Sequence, residues 1–72
     1  MTLKDLKPGQ EGNIVSLGAK GPIRRRLMDM GVTPGTAVKV IKVAPLGDPI
    51  EINIRGYELS LRKDEASQIE IQ

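Results

Sequence analysis

Cysteine, histidine, tryptophan and phenylalanine are all missing from this chain, and Tyr57 is its only aromatic residue. Without cysteine or histidine there is neither a disulfide framework nor a Cys/His zinc site to hold the fold. The same absence removes the usual nucleophiles and bases of covalent and general acid-base catalysis. With a single aromatic residue, the core must be built almost wholly from Ile, Leu, Val and Met. No apolar run approaches the roughly eighteen residues of a membrane span, and in the amino-terminal MTLKDLKPGQ, Asp5 interrupts any signal-like segment. A soluble, cytosolic protein is expected. Neither sign of charge dominates: eleven Lys and Arg against nine Asp and Glu leave +2, too little to support strong non-specific nucleic-acid binding.

What is present describes a folded globule. Hydrophobic residues make up 39% and charged residues 28%, far from the composition of disorder. Seventy-two residues suffice for one core, so a single domain over residues 1–72 is expected. Met1 and the legible start lead us to expect a natural protein rather than an excised domain.

Thr2 is placed to cap a short turn over Leu3 to Leu6, and Pro8-Gly9 has the chemistry of a type II turn. A strand follows at Glu11 to Leu17, in which Gly12 leaves one position bare, as at a close backbone approach or a barrel bend. From Gly21 to Gly31 the punctuation is that of a helix: Pro22 suits its start and Gly31 the left-handed residue past its end. Ile23, Leu27 and Met30 then form one apolar stripe expected to pack on the barrel, with Val32 closing onto Leu27. Thr33-Pro34-Gly35-Thr36 repeats the turn chemistry, and a second strand runs from Val38 to Val43. Aligning Leu6-Lys7-Pro8-Gly9 with Val32-Thr33-Pro34-Gly35 superposes Ile14 on Val40, which suggests a repeated turn-then-strand unit.

The most informative stretch is Ile50 to Leu61. Ile50, Ile52 and Ile54 alternate with polar residues, as do Tyr57, Leu59 and Leu61, and only Arg55-Gly56 separates the two runs. A two-residue hairpin pairs Ile54 with Tyr57, Ile52 with Leu59 and Ile50 with Leu61, placing all six on one face. A one-residue slip would turn one set outward. A helical turn at Lys63 to Ser67 and a short strand through Ile69 and Ile71 complete the chain. Five short antiparallel strands are most economically closed, so the expected fold is mainly β: a small five-stranded SH3-like barrel with one α-helix inserted after the first strand.

Few residues offer chemistry. Glu51, Asp64 and Glu65 fall where an outward strand face and a solvated helical turn are expected, and this reading outweighs acid-base work. Gly21 is followed by Pro22 rather than the Lys of a phosphate-binding loop, and no metal ligand or cofactor is assigned. Arg24-Arg25-Arg26 is the sharpest charge feature, standing in the first half of a helix whose dipole it opposes. Two readings stay open: a solvated face with Arg25 paired to Asp29, or a patch for acidic protein, phosphate or lipid headgroups. The loop Ala44-Pro45-Leu46-Gly47-Asp48-Pro49 reads first as a stiff connector and second as a recognition loop with Leu46 as an exposed anchor.

Taken together, GPIRRRLMDMGVTPGTAVKV, APLGDPIEI and RGYELSLRKDEASQI resemble the FeoA family of ferrous iron transport proteins over almost the whole chain. The order and close spacing of the RRRLMDMG, TPGT, GDP and RGY motifs carry the resemblance. It implies an SH3-like barrel that catalyses nothing and acts in the cytosol on FeoB, a membrane transporter with an amino-terminal G-protein domain. The surface we infer for that contact is Arg24, Arg25, Arg26 and Asp29 with Leu46 and Asp48. Relatives of this barrel also occur as carboxy-terminal domains of metal-dependent repressors. The competing classes are a small nucleic-acid-binding or metalloregulator-type barrel, disfavoured by the lack of stacking aromatics, and a GTPase-modulating protein using an arginine in trans. Oligomeric state is not legible.

Overall fold

A computed structural model describes residues 1–72. A 3-10 turn, Leu3–Asp5, precedes β1 (Glu11–Leu17), α1 (Gly21–Asp29), β2 (Ala37–Val43), β3 (Ile50–Ile54), β4 (Tyr57–Leu61), the single turn α2 (Lys63–Ala66) and β5 (Ile69–Ile71). The strands form one antiparallel sheet in the order β4-β3-β2-β1-β5. This is the expected mainly β, SH3-like arrangement with its helix after the first strand. The two outermost strands, β4 and β5, are joined through α2 rather than by a hydrogen-bonded ladder.

Curvature comes from β1, which changes partner along its length. Glu11, Gly12 and Asn13 pair with β2, while Ile14, Ser16 and Leu17 pair with β5. The register shifts between Ile14 and Ser16, leaving Val15 as the extra, exposed residue of a bulge that bends the strand. Gly12 sits at the crossover: a Cβ there would occupy the place of Ile71 Cγ2. The bare position anticipated at Gly12 is therefore filled by the closing strand's side chain.

The two Pro-Gly turns cross-brace the barrel reciprocally. Gly9 N–H donates to the Val40 carbonyl (2.8 Å) and Gly35 N–H to the Ile14 carbonyl (2.7 Å). In the same sense, Val40 N–H donates to the Gln10 carbonyl (3.0 Å) and Ile14 N–H to the Thr36 carbonyl (2.9 Å). Leu6 and Val32 are both buried at the matching positions, and Gly12 opposite Val38 lies at the centre of the exchange. The repeated turn-then-strand unit is thus a local two-fold-like arrangement, each turn feeding the other unit's strand.

In the Ile50–Leu61 hairpin the pairs are Ile54 with Tyr57, Ile52 with Leu59 and Ile50 with Leu61, as the alternation predicts. Arg55 (φ 52°) and Gly56 (φ 84°) give the positive dihedrals of a type I′ turn. The three isoleucines and Leu61 are buried and Leu59 is partly so, but Tyr57, at the hairpin tip, is 42% exposed. With Leu3, Ile14, Leu27, Val32, Val38, Val40, Ile69 and Ile71, these residues make one aliphatic core. Each fully buried Ile or Leu contributes about 2 kcal/mol of hydrophobic stabilisation.

Candidate partner-binding surface

Helix α1 carries the arginine cluster, and its ending is fixed by backbone chemistry. Gly31 adopts φ 94°, Val32 N–H donates to the Leu27 carbonyl (3.0 Å) and Gly31 N–H to the Met28 carbonyl (3.0 Å). These are the paired bonds of a Schellman end, and Leu27 and Val32 are both fully buried behind it. The amino-terminal half of the stripe departs from expectation. Ile23 is 44% exposed, because beneath it lies a hollow shared with Arg26, Arg62 and Glu65 rather than the sheet.

The three arginines are not equivalent. The Arg26 guanidinium forms an ion pair with the Glu65 carboxylate. Glu65 is 7% exposed and is the only buried charged residue, which corrects the solvated position expected for it. Its second oxygen accepts the Arg62 N–H (2.9 Å) at the start of α2, so one carboxylate caps α2 and ties down α1. Burial of this acid is tolerated because both oxygens are satisfied. Arg24 and Arg25 make no ion pair or side-chain hydrogen bond, and Arg25 does not pair with Asp29; with Gly21, Met28 and Asp29 they line an open groove of about 390 Å³ on the outer face of α1.

The loop from 44 to 49 reaches the same region from the other side. Asp48 Oδ1 accepts the Lys63 N–H (3.1 Å), placing a second acid at the start of α2. Ala44 N–H to the Pro49 carbonyl (3.0 Å) and Gly47 N–H to the Ala44 carbonyl (2.7 Å) tighten the loop, and Leu46 at its tip is 92% exposed. Of the residues singled out from the sequence, Arg25, Asp29 and Leu46 are exposed without a partner and Arg24 is half-buried without one, whereas Arg26 and Asp48, also exposed, make contacts within the fold. The charge is uneven. Lys20, the three arginines, Arg62 and Lys63 stand on or beside α1 and α2 against Asp29, Asp48, Asp64 and Glu65. Those six bases and four acids carry the whole net charge of +2, the remaining five bases and five acids cancelling.

Arg55 was not singled out from the sequence. Its Nε donates to the Gly31 carbonyl (3.4 Å) and its Nη2 to Thr33 Oγ1 (3.2 Å) and Thr36 Oγ1 (3.4 Å). The hairpin tip is thereby clamped onto the helix end and the TPGT turn, so three of the resemblance-bearing motifs meet at one internal junction. An arginine at positive φ, in a turn that favours Asn, Asp or Gly, was the available signal.

A curled five-stranded antiparallel sheet with an inserted helix and an exposed, partly basic face defines a small SH3-like module. The chain belongs to the FeoA family: the FeoA domain model matches residues 1–72. A solution structure of the FeoA protein from Chlorobium tepidum is 45% identical, with a TM-score of 0.92 over 99% of this chain and 68% of that one. The Stenotrophomonas maltophilia FeoA, described with zinc as a prokaryotic SH3 domain protein, is 26% identical, with a TM-score of 0.87 over 100% of this chain and 89% of that one. A Porphyromonas gingivalis Fe(2+) transport protein A/Fe(2+) transporter FeoB fusion protein is 36% identical over 72 residues, all of this chain and 8% of that protein. In this chain no three His, Cys, Asp or Glu side chains come together as a metal site, and no helix is long and apolar enough to cross a membrane.

Proposed function

We propose that residues 1–72 act as one cytoplasmic domain, an accessory or regulatory protein of ferrous iron uptake that docks on an Fe(2+) transporter of the FeoB type and catalyses no reaction itself. The observation that carries this reading is the fusion protein, in which a stretch resembling this whole chain is continuous with an FeoB transporter. Covalent fusion raises the effective concentration of two modules that work together. The contact surface is the outer face of α1, where Arg24 and Arg25 are free, together with Leu46. Arg26 and Asp48 support that surface from within.

The test is an NMR titration of the isotope-labelled protein with the purified cytosolic portion of the cognate FeoB, with and without guanine nucleotide. Shifts on the exposed surface of α1 and in the loop around Leu46 support docking, and a nucleotide dependence ties the contact to the G-protein state. A titration that moves no residue at high concentration rejects docking on that portion.

A further inference from the structure

The exposed position of Ile23 has no role in the core, and its surroundings are chemically specific. It lies with Pro22 in a hollow of about 240 Å³ whose other walls are Arg26, Arg62 and Glu65. Arg26 and Glu65 neutralise one another there, so they present no net charge to a ligand. The Arg62 guanidinium makes no ion pair or hydrogen bond. The hollow therefore offers an aliphatic floor, a neutral wall and one free guanidinium, that of Arg62.

We propose that this hollow is a docking site for a short segment of a partner protein in which an aliphatic side chain is adjacent to a carboxylate. The aliphatic group packs on Pro22 and Ile23, and the carboxylate meets Arg62 in the planar, bidentate manner guanidinium favours. This inference rests on the docking reading above and names the chemistry of the segment that docks. A protein segment fits better than a lipid surface or a nucleic acid, because the hollow holds a single unpaired cation, Arg62, beside the neutral Arg26–Glu65 pair, too little positive charge to hold a polyanion. A volume of this size takes one side chain rather than a flat bilayer face.

The test needs no knowledge of the natural segment. The labelled protein is titrated with a short blocked peptide carrying leucine between glutamates, and with two controls, serine replacing the leucine or lysine replacing the glutamates. Shifts are expected at Ile23, Arg26, Arg62 and Glu65 with the first peptide, and binding at least about fivefold weaker with either control. Ile23→Ser, an exposed change that leaves the folded spectrum intact, should weaken both this peptide and the FeoB cytosolic portion about tenfold. Val15→Ser, at an exposed aliphatic residue on β1 outside the hollow, should weaken neither.

Peptide and FeoB affinities both unmoved by Ile23→Ser would overturn the hollow while leaving FeoB docking intact. Peptide binding in the hollow without any FeoB binding would support the hollow and reject the transporter as its partner. An Ile23-dependent partition onto phosphatidylglycerol vesicles, with no response to the peptide, would replace the proposal with a lipid contact. Self-association lost in both Ile23→Ser and Leu46→Ser would replace it with a second copy of this chain.

Discussion

The Arg26 guanidinium closes on the Glu65 carboxylate, joining two helical elements that share no backbone hydrogen bond. Glu65 also receives the Arg62 N–H, so a single side chain supports the start of α2 and the seat of α1. Glu65→Ala should cost about 2–4 kcal/mol, since it strands the cap and the pair together. Arg26→Ala should cost less, about 1 kcal/mol, because the arginine side chain is 56% exposed and water screens the pair. Urea denaturation of the two single variants and the double variant checks both values, and the cycle should return a favourable coupling.

Arg24 and Arg25 predict the opposite profile. Arg24→Glu with Arg25→Glu should change unfolding free energy by no more than about 0.5 kcal/mol, because Arg25 is exposed, Arg24 only half-buried and neither has a partner. The same pair should weaken binding to the FeoB cytosolic portion at least about tenfold. Titration calorimetry beside thermal denaturation separates the two effects. Equal loss of stability in this variant and in Arg26→Ala would contradict the division of labour within the cluster.

At Gly12 the barrel leaves no room for a side chain, because the space is taken by Ile71 Cγ2. Gly12→Ala should destabilise by about 1–3 kcal/mol through overpacking at the β1–β5 crossover. Combining it with Ile71→Ala, which removes the clashing methyl, should cost less than the two single changes added together. Thermal unfolding of the three variants measures the non-additivity.

Asp5 predicts a pH dependence. Its carboxylate accepts the Thr2 N–H (2.9 Å), and that bond, the largest cause, holds its pKa below the ordinary value of 3.8. A carboxyl group whose folded pKa is depressed stabilises the fold above its unfolded pKa, and the contribution is lost as pH falls through the folded pKa. The stability gap between wild type and Asp5→Asn should therefore be constant near neutrality and narrow below pH 3.8. Denaturant titrations at several pH values provide the check.

Local periodicity and turn chemistry were enough to specify much of this protein. The isoleucine alternation around Arg55-Gly56 set the hairpin register, since any slip would bury charged neighbours. Gly31 and Val32 set the end of α1, because a left-handed residue followed by an apolar one satisfies the last carbonyls within the segment itself. The Pro-Gly pairs foretold both cross-bracing turns, and the family was legible in the order of four short motifs. What the tertiary structure alone decided concerns side chains whose partners are distant in sequence. Whether Ile23 meets sheet or solvent, which arginine of three finds an acid, and that Glu65 is buried all depend on where α2 comes to rest against α1. No local pattern encodes that meeting, because residues at one helical spacing share a face but do not choose what the face will meet. The surface available to a partner is therefore set by which charges the fold has already consumed.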